Sequence, residues 1–387
     1  MVVAAAFLAA VWQYREPGAG FTSFIEFPGT THDDELPAIR DVPHYHHQDS
    51  GGYDGQFYAQ LAVDPLLRDS AIDRAMDNPQ YRARRMLLSW TAYAAGGGDP
   101  ARVLQIYALQ NVVVWLLLAW LLCRWMPPAT GRHVALWAGC LLSHGLLSSV
   151  RYALPDGPGA LLIAAAVAVA GASPVIGGRG SPSGSALRAI AAALVVGVAG
   201  LARETAVLAG AMFLRLVRRS PRTWIVAGLC GFLCLVPLAL WMDYLRSIYR
   251  TLSIAGADHL TTPFSGLTWK VRHLVDEASS AGLTYPLLAS TAALAGFLVQ
   301  AVIAGRELVR SSGRSPWALV GVAFVVLAIV THRDVFAGAP GAFTRVFLPV
   351  TLAANALLAA RPRPAWWLIA VANLGVIPGV MLLWFRY

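Results

Sequence analysis

The residues best suited to chemistry crowd into one stretch. Of the 21 acidic residues in the chain, 12 lie between Glu16 and Asp77. A passive connector between two hydrophobic segments needs only a few residues, so such a concentration of carboxylates points to a site. Within it, Asp54 stands in the run Tyr53-Asp54-Gly55-Gln56-Phe57-Tyr58-Ala59-Gln60-Leu61-Ala62. A carboxylate within hydrogen-bond reach of a hydroxyl can take its proton as that oxygen attacks an electrophile. Glu35 and Asp156 are the other candidate acids for such work. Asp156 stands in RYALPDGPG, where Pro-Asp-Gly also forms turns on its own account, and the turn is the favoured reading. A second chemistry is metal binding. Asp33, Asp34 and Glu35 precede His44, His46, His47 and Asp49, and imidazole and carboxylate are ordinary ligands for zinc or manganese. The candidates for a divalent cation are Asp34, His46, His47 and Asp49. Their spacing matches no fixed zinc signature, and a solvated polar loop is the competing reading.

Cations are also available. Arg82, Arg84 and Arg85 precede an apolar stretch that begins at Met86, Arg203 adjoins Glu204, and Arg345 follows His332, Arg333 and Asp334. Arginine suits phosphate because its planar fork donates two parallel hydrogen bonds. Arg84, Arg85, Arg203 and Arg345 are therefore candidate phosphate ligands, although interfacial arginines also snorkel to lipid headgroups. Tyr53, Gln56, Tyr58 and Glu204 are candidate substrate contacts. Phe57, Tyr58, Leu61 and Ala62 recur at helical spacing, which predicts a short amphipathic helix lying in a membrane interface with Asp54 at its start. An aspartate there is also a good N-cap, so a capping role competes with a catalytic one.

The elements that must position these groups are set by composition. The chain is 387 residues long, 57% hydrophobic and only 13% charged, against about a quarter charged in soluble domains. An all-α, polytopic integral membrane protein forming one membrane domain over residues 1–387 is expected. Apolar windows at about 101–123, 134–150, 157–175, 189–201, 204–217, 223–242, 284–304, 316–331, 342–360 and 365–384, with the short opening stretch Met1 to Trp12, suggest about eleven transmembrane helices. Windows 189–201 and 204–217 are each too short for a full span, so a re-entrant hairpin or two short helices meeting near one surface is expected, with Arg203 and Glu204 at the junction.

Sidedness follows from arginine. The net charge is +9, and of 30 basic residues only Lys270 is lysine. No basic stripe interleaves with aromatics, so the excess is an orientation signal and nucleic acid is not an expected partner. Alternate short connections carry Arg124 and Arg132; Arg179 and Arg188; Arg215, Arg218, Arg219 and Arg222; Arg306, Arg310 and Arg314; and Arg361 and Arg363. These face the cytoplasm by the positive-inside rule. The N-terminus then lies inside, and the long connections 15–85 and 243–283 lie outside, the first carrying interfacial helices. Trp269 and Lys270 in the second stand amid amphipathic sequence and are expected to help shape a groove for a substrate. The Gly/Ser/Pro-rich stretch Gly177 to Gly184 lacks the Gly-Lys-Ser/Thr ending of a P-loop and reads as a linker. Cys123, Cys140, Cys230 and Cys234 all fall in apolar segments, which suits packing.

The run YDGQFYAQLA resembles the aromatic-Asp-Gly-x-x-Tyr-x-x-Ile-Ala pattern after the first span of GT-C superfamily glycosyltransferases, nearest to the GPI mannosyltransferase II type. The longer string through DPLL, with RARRMLLSW after it, looks like bacterial membrane proteins associated with cell-surface glycopolymer formation. The resemblance implies a GT-C-like fold, Asp54 as the loop-one aspartate serving as general base or acceptor-orienting group, and a polyprenyl-phosphate sugar donor used on the non-cytoplasmic face. The acceptor would be a lipid-linked or surface glycan. Location in a bacterial inner membrane, with a periplasmic site and lipids around it, follows from the same likeness. Tyr53 stands where Trp is common, and Val63-Asp64-Pro65 replaces the usual small polar continuation, which leaves the substrate unassigned. Some GT-C enzymes use a metal and others do not. The expectation is that Asp54, Glu35, Arg85 and Arg203 converge on one cavity. A transporter or flippase of lipid-linked sugars is the alternative, as is a non-catalytic subunit of a surface-polymer assembly complex. Transporters place ionisable groups at midplane in repeated halves, and no internal repeat is visible here.

Overall fold

A computed structural model describes residues 2–30, 32–171, 182–217, 221–249 and 260–385. The protein is all-α; among the described residues the only strands are Phe27–Pro28 and His46–His47, paired in parallel. Three helices, Pro100–Leu122, Thr223–Tyr249 and Tyr285–Arg310, are long and apolar enough to cross a membrane. Two bent pairs raise that number to five if each is one span: Gly131–Leu141 with His144–Arg151, bent by 45°, and Trp366–Ala372 with Val376–Trp384, bent by 54°. Other windows form shorter apolar helices. Val2–Trp12, at 11 residues, extends about 16 Å, short of the roughly 30 Å hydrocarbon core. Part of the Gly177 to Gly184 stretch, with Arg179, Arg218, Arg219 and residues 250–259, lies outside the described residues.

The break at Arg203 is real. Helix Pro182–Ala202 ends there, Arg203 is extended, and a 3₁₀ run Glu204–Phe213 and a single turn Leu214–Val217 follow. Pro182–Ala202 packs between Asp156–Val169 and Pro221–Tyr249, while Pro316–Ile329 packs on both the 3₁₀ run and Leu348–Ala359. These contacts place Arg203 and Glu204 beside the segment that carries Arg345. Gly145 lets the backbones meet, because a Cβ there would run into the carbonyl of Thr344.

Two expectations are corrected. Helix Gly55–Val63 is packed into the protein and does not expose one amphipathic face. Tyr58, Ala59, Leu61 and Ala62 are buried, and buried Gln60 accepts from the Leu36 amide and donates to the Ala75 carbonyl. Those bonds weld it into the surrounding loop. Asp156 is not a turn residue but opens helix Asp156–Val169. The approach is set by Tyr107 and Asn111, which donate to the carbonyls of Ala153 and Leu154 at 2.8 and 3.0 Å.

Candidate functional site

Asp54 is not used as a cap. It precedes helix Gly55–Val63, yet its side chain makes no capping hydrogen bond. Instead Arg82 Nη1 lies 2.9 Å from Oδ1, and Arg345 Nη2 donates to Oδ2 at 3.1 Å. Gly55 explains the close approach of this helix start to its neighbour, since a Cβ there would strike the carbonyl oxygen of Tyr152. Tyr53, one residue earlier, stacks on Tyr152 with centroids 4.4 Å apart and has the Arg345 guanidinium 5.4 Å from its ring centre. The carboxylate is therefore held from both sides by side chains that are themselves packed.

Arg345 reaches further. Its Nη1 lies 3.6 Å from Asp156 Oδ2, and Arg203 Nη1 pairs with Asp156 Oδ1. Asp54 and Asp156 are thus linked through cations contributed by distant parts of the chain. Burial disfavours the charged form of Asp54, but Arg345 and then Arg82 outweigh it and hold the carboxyl below its ordinary value. Asp54 stays ionised and retains a quarter of its side-chain exposure.

These groups line a cavity of about 450 Å³. Its lining is cationic at Arg82, Arg84, Arg85, Arg203 and Arg345 and apolar at Leu260, Leu327, Val335 and Val346. Asp54, Glu204 and Asp334 are its carboxylates, so the lining carries two more positive than negative charges. Asp156, behind Arg203 and Arg345, lowers the local excess to one. The Nε atoms of Arg203 and Arg345 are buried and donate to no partner among the described residues. Buried donors of this kind accommodate an anion.

Arg85 is differently placed. Its Nε and Nη2 grip Glu204 at 2.7 and 2.8 Å, while Nη1 and Nη2 donate to the hydroxyls of Tyr58 and Tyr81 at 2.8 and 2.7 Å. Most of its donor capacity is spent inside the protein, so Arg85 and Glu204 fasten residues 81–85 to the 3₁₀ run. Arg85 still lines the cavity, with these donors committed to protein groups. Arg82 and Asp334 line the cavity as well. Arg82 is fixed by Asp77, 2.7 Å from Nη2, and lies 4.7 Å over the Phe57 ring. Its signal was legible only as one more arginine in the run RARR.

Glu35 does not join them. It is buried against His44 and His46, whose Nε2 atoms lie 3.1 and 2.9 Å from its two oxygens. Gln56 and Tyr58 are buried and do not line the cavity. Of the expected metal ligands, only His46 belongs to a converging set. Asp34 is exposed, His47 Nε2 bonds the Ser23 carbonyl at 3.1 Å, and His47 and Asp49 line a separate cavity of about 530 Å³. Lys270 is almost wholly buried and donates to the Gly338 carbonyl at 2.8 Å, which anchors the segment before Arg345. No family model, curated protein or solved structure matches the chain.

Proposed function

We propose that the protein is a GT-C-type glycosyltransferase that moves a sugar from a polyprenyl-phosphate donor to a lipid-linked or surface glycan, with Asp54 as the general base. One observation carries the reading: an ionised Asp54 shares a cavity with five arginines and several apolar side chains, and its lining has a small net positive charge. A polyprenyl-phosphate sugar is a phosphodiester with one negative charge and a long apolar tail, so it matches a lining of both kinds. The ten residues of YDGQFYAQLA support the same reading.

In the proposed reaction the acceptor hydroxyl rests against Asp54, which takes its proton as the oxygen attacks the anomeric carbon. The bond from that carbon to the phosphate oxygen breaks, and the lipid phosphate leaves with a second developing charge. Arg203 and Arg345 stabilise that charge, as fixed cations aimed at a leaving group do. About eleven spans, a cytoplasmic N-terminus and a periplasmic cavity in a bacterial inner membrane complete the proposal.

The test is binding of synthetic short-chain polyprenyl phosphate to the purified protein in nanodiscs. Arg203→Gln and Arg345→Gln should each weaken it by about ten- to a hundredfold, the loss expected of a charge-assisted hydrogen bond. Undiminished binding by both folded variants would remove these arginines from donor recognition.

A further inference from the structure

Outside the arginine cavity, one side-chain cluster brings two imidazoles and a carboxylate together. Glu35, His44 and His46 bring one ligand atom each within 4.8 Å of one another. The closest approaches are tighter: Glu35 Oε1 to His46 Nε2 at 2.9 Å, Glu35 Oε2 to His44 Nε2 at 3.1 Å, and the two Nε2 atoms 3.1 Å apart. His44 Nδ1 lies 2.9 Å from the Val42 carbonyl oxygen, which can only accept, so Nδ1 carries a proton. In the neutral ring that leaves a lone pair on Nε2, directed at a carboxylate and at a second imidazole.

We propose that Glu35, His44 and His46 bind a divalent transition metal of the zinc class, with a fourth position open to water. Two imidazoles and a carboxylate are a known ligand set for zinc, and three protein ligands leave a position for solvent. Zinc holds such atoms at about 2.0–2.2 Å, which in a tetrahedral site sets them roughly 3.3 Å from each other. The two imidazole nitrogens, 3.1 Å apart, already approach that spacing, and each faces one oxygen of the carboxylate. The Nδ1–H of His44 on a backbone carbonyl is the contact that orients a metal-bound imidazole and fixes its tautomer. Phe27, fully buried, packs its ring against that of His44 with centroids 4.9 Å apart and shields the cluster.

The backbone explains why these histidines and not His47 take part. Residues two apart in extended chain face the same way, so His44 and His46 turn toward Glu35. His47 turns away, to the Ser23 carbonyl and the Tyr45 ring. A metal here would clasp residue 35 to residues 44–46, upstream of Tyr53, whose amide donates to the Glu26 carbonyl beside the same strand pair. The inference stands apart from the transferase reading.

The experiment measures metal in tag-free protein, purified in detergent and passed through gel filtration with a weak competing chelator. Wild type should retain about one zinc per chain, and cobalt-loaded protein should show visible d–d bands of a four-coordinate site. Glu35→Gln and His44→Ala should lose the metal, whereas His47→Ala should keep it. Should either variant fail to fold, wild-type stoichiometry, the cobalt spectrum and His47→Ala still decide. Metal-free wild type after zinc loading, as when a proton on His44 satisfies the cluster, would overturn the proposal. So would equal retention by folded Glu35→Gln and His44→Ala chains.

Discussion

Arg345 donates to Asp54 at 3.1 Å and at the same time lies 3.6 Å from Asp156, so one guanidinium spans two carboxylates from separate parts of the chain. The arrangement keeps Asp54 charged while leaving the arginine Nε without a hydrogen-bond partner among the described residues. The proposed base and the proposed phosphate ligand are thereby held against each other.

The pH dependence of transfer follows from this pair. A general base works in its ionised form, so activity falls as pH drops through its pKa. In the wild type Arg345 and Arg82 hold the Asp54 carboxyl below its ordinary value against the opposing effect of burial, and the acidic limb should lie correspondingly low. Arg82→Gln should move that limb to higher pH, and Arg345→Gln should move it further, because Arg345 is the stronger influence. Rate profiles against pH for the three proteins test it; unshifted limbs would contradict the assignment of Asp54.

Arg85 and Glu204 should matter to stability more than to donor binding. Arg85→Met leaves Glu204 without its bidentate partner, at a cost of about 2–3 kcal/mol, the low end for a buried pair because Glu204 keeps a quarter of its side-chain exposure. Glu204→Met should cost a similar amount. The double variant should lose less than the two together, as coupled partners do. Thermal unfolding in detergent reads this, and strictly additive losses would dissolve the pairing.

Gly55 should tolerate no side chain. A Cβ would collide with the Tyr152 carbonyl oxygen, a backbone atom that cannot rotate aside. Gly55→Ala should therefore lower stability by about 1–3 kcal/mol and reduce transfer by displacing Asp54. Gly228→Ala, where a Cβ meets nothing within 4 Å, is the control.

Much of this was legible in the residues, for physical reasons that also mark where legibility ends. Apolar windows and the Arg203 break followed from local composition, and helix breaks appeared there. Asp54, Arg203, Glu204 and Arg345 announced themselves as charges beside apolar segments, which are costly unless used. The partners of each were not readable, because pairing depends on how helices far apart in the chain pack. Arg85 and Arg82 stand three residues apart in one run, yet the first braces a 3₁₀ turn while the second faces Asp54. Tyr58 sits on the expected helix, but Ser89, which donates to its carbonyl at 2.8 Å, and Arg85 draw it inward. Glu35 looked like a partner for Asp54, and only the fold of residues 27–47 turned it to the histidines.

The most direct test of the central claim pairs two measurements on Asp54→Asn. Transfer is followed from a panel of synthetic polyprenyl-phosphate hexoses in proteoliposomes, and polyprenyl-phosphate binding is measured on the same preparation. The account predicts transfer reduced by about 10²- to 10⁴-fold, the contribution of a general base, with binding unchanged or tighter because a negative charge has left the arginine-lined cavity. A folded Asp54→Asn protein that transfers sugar at the wild-type rate would contradict it.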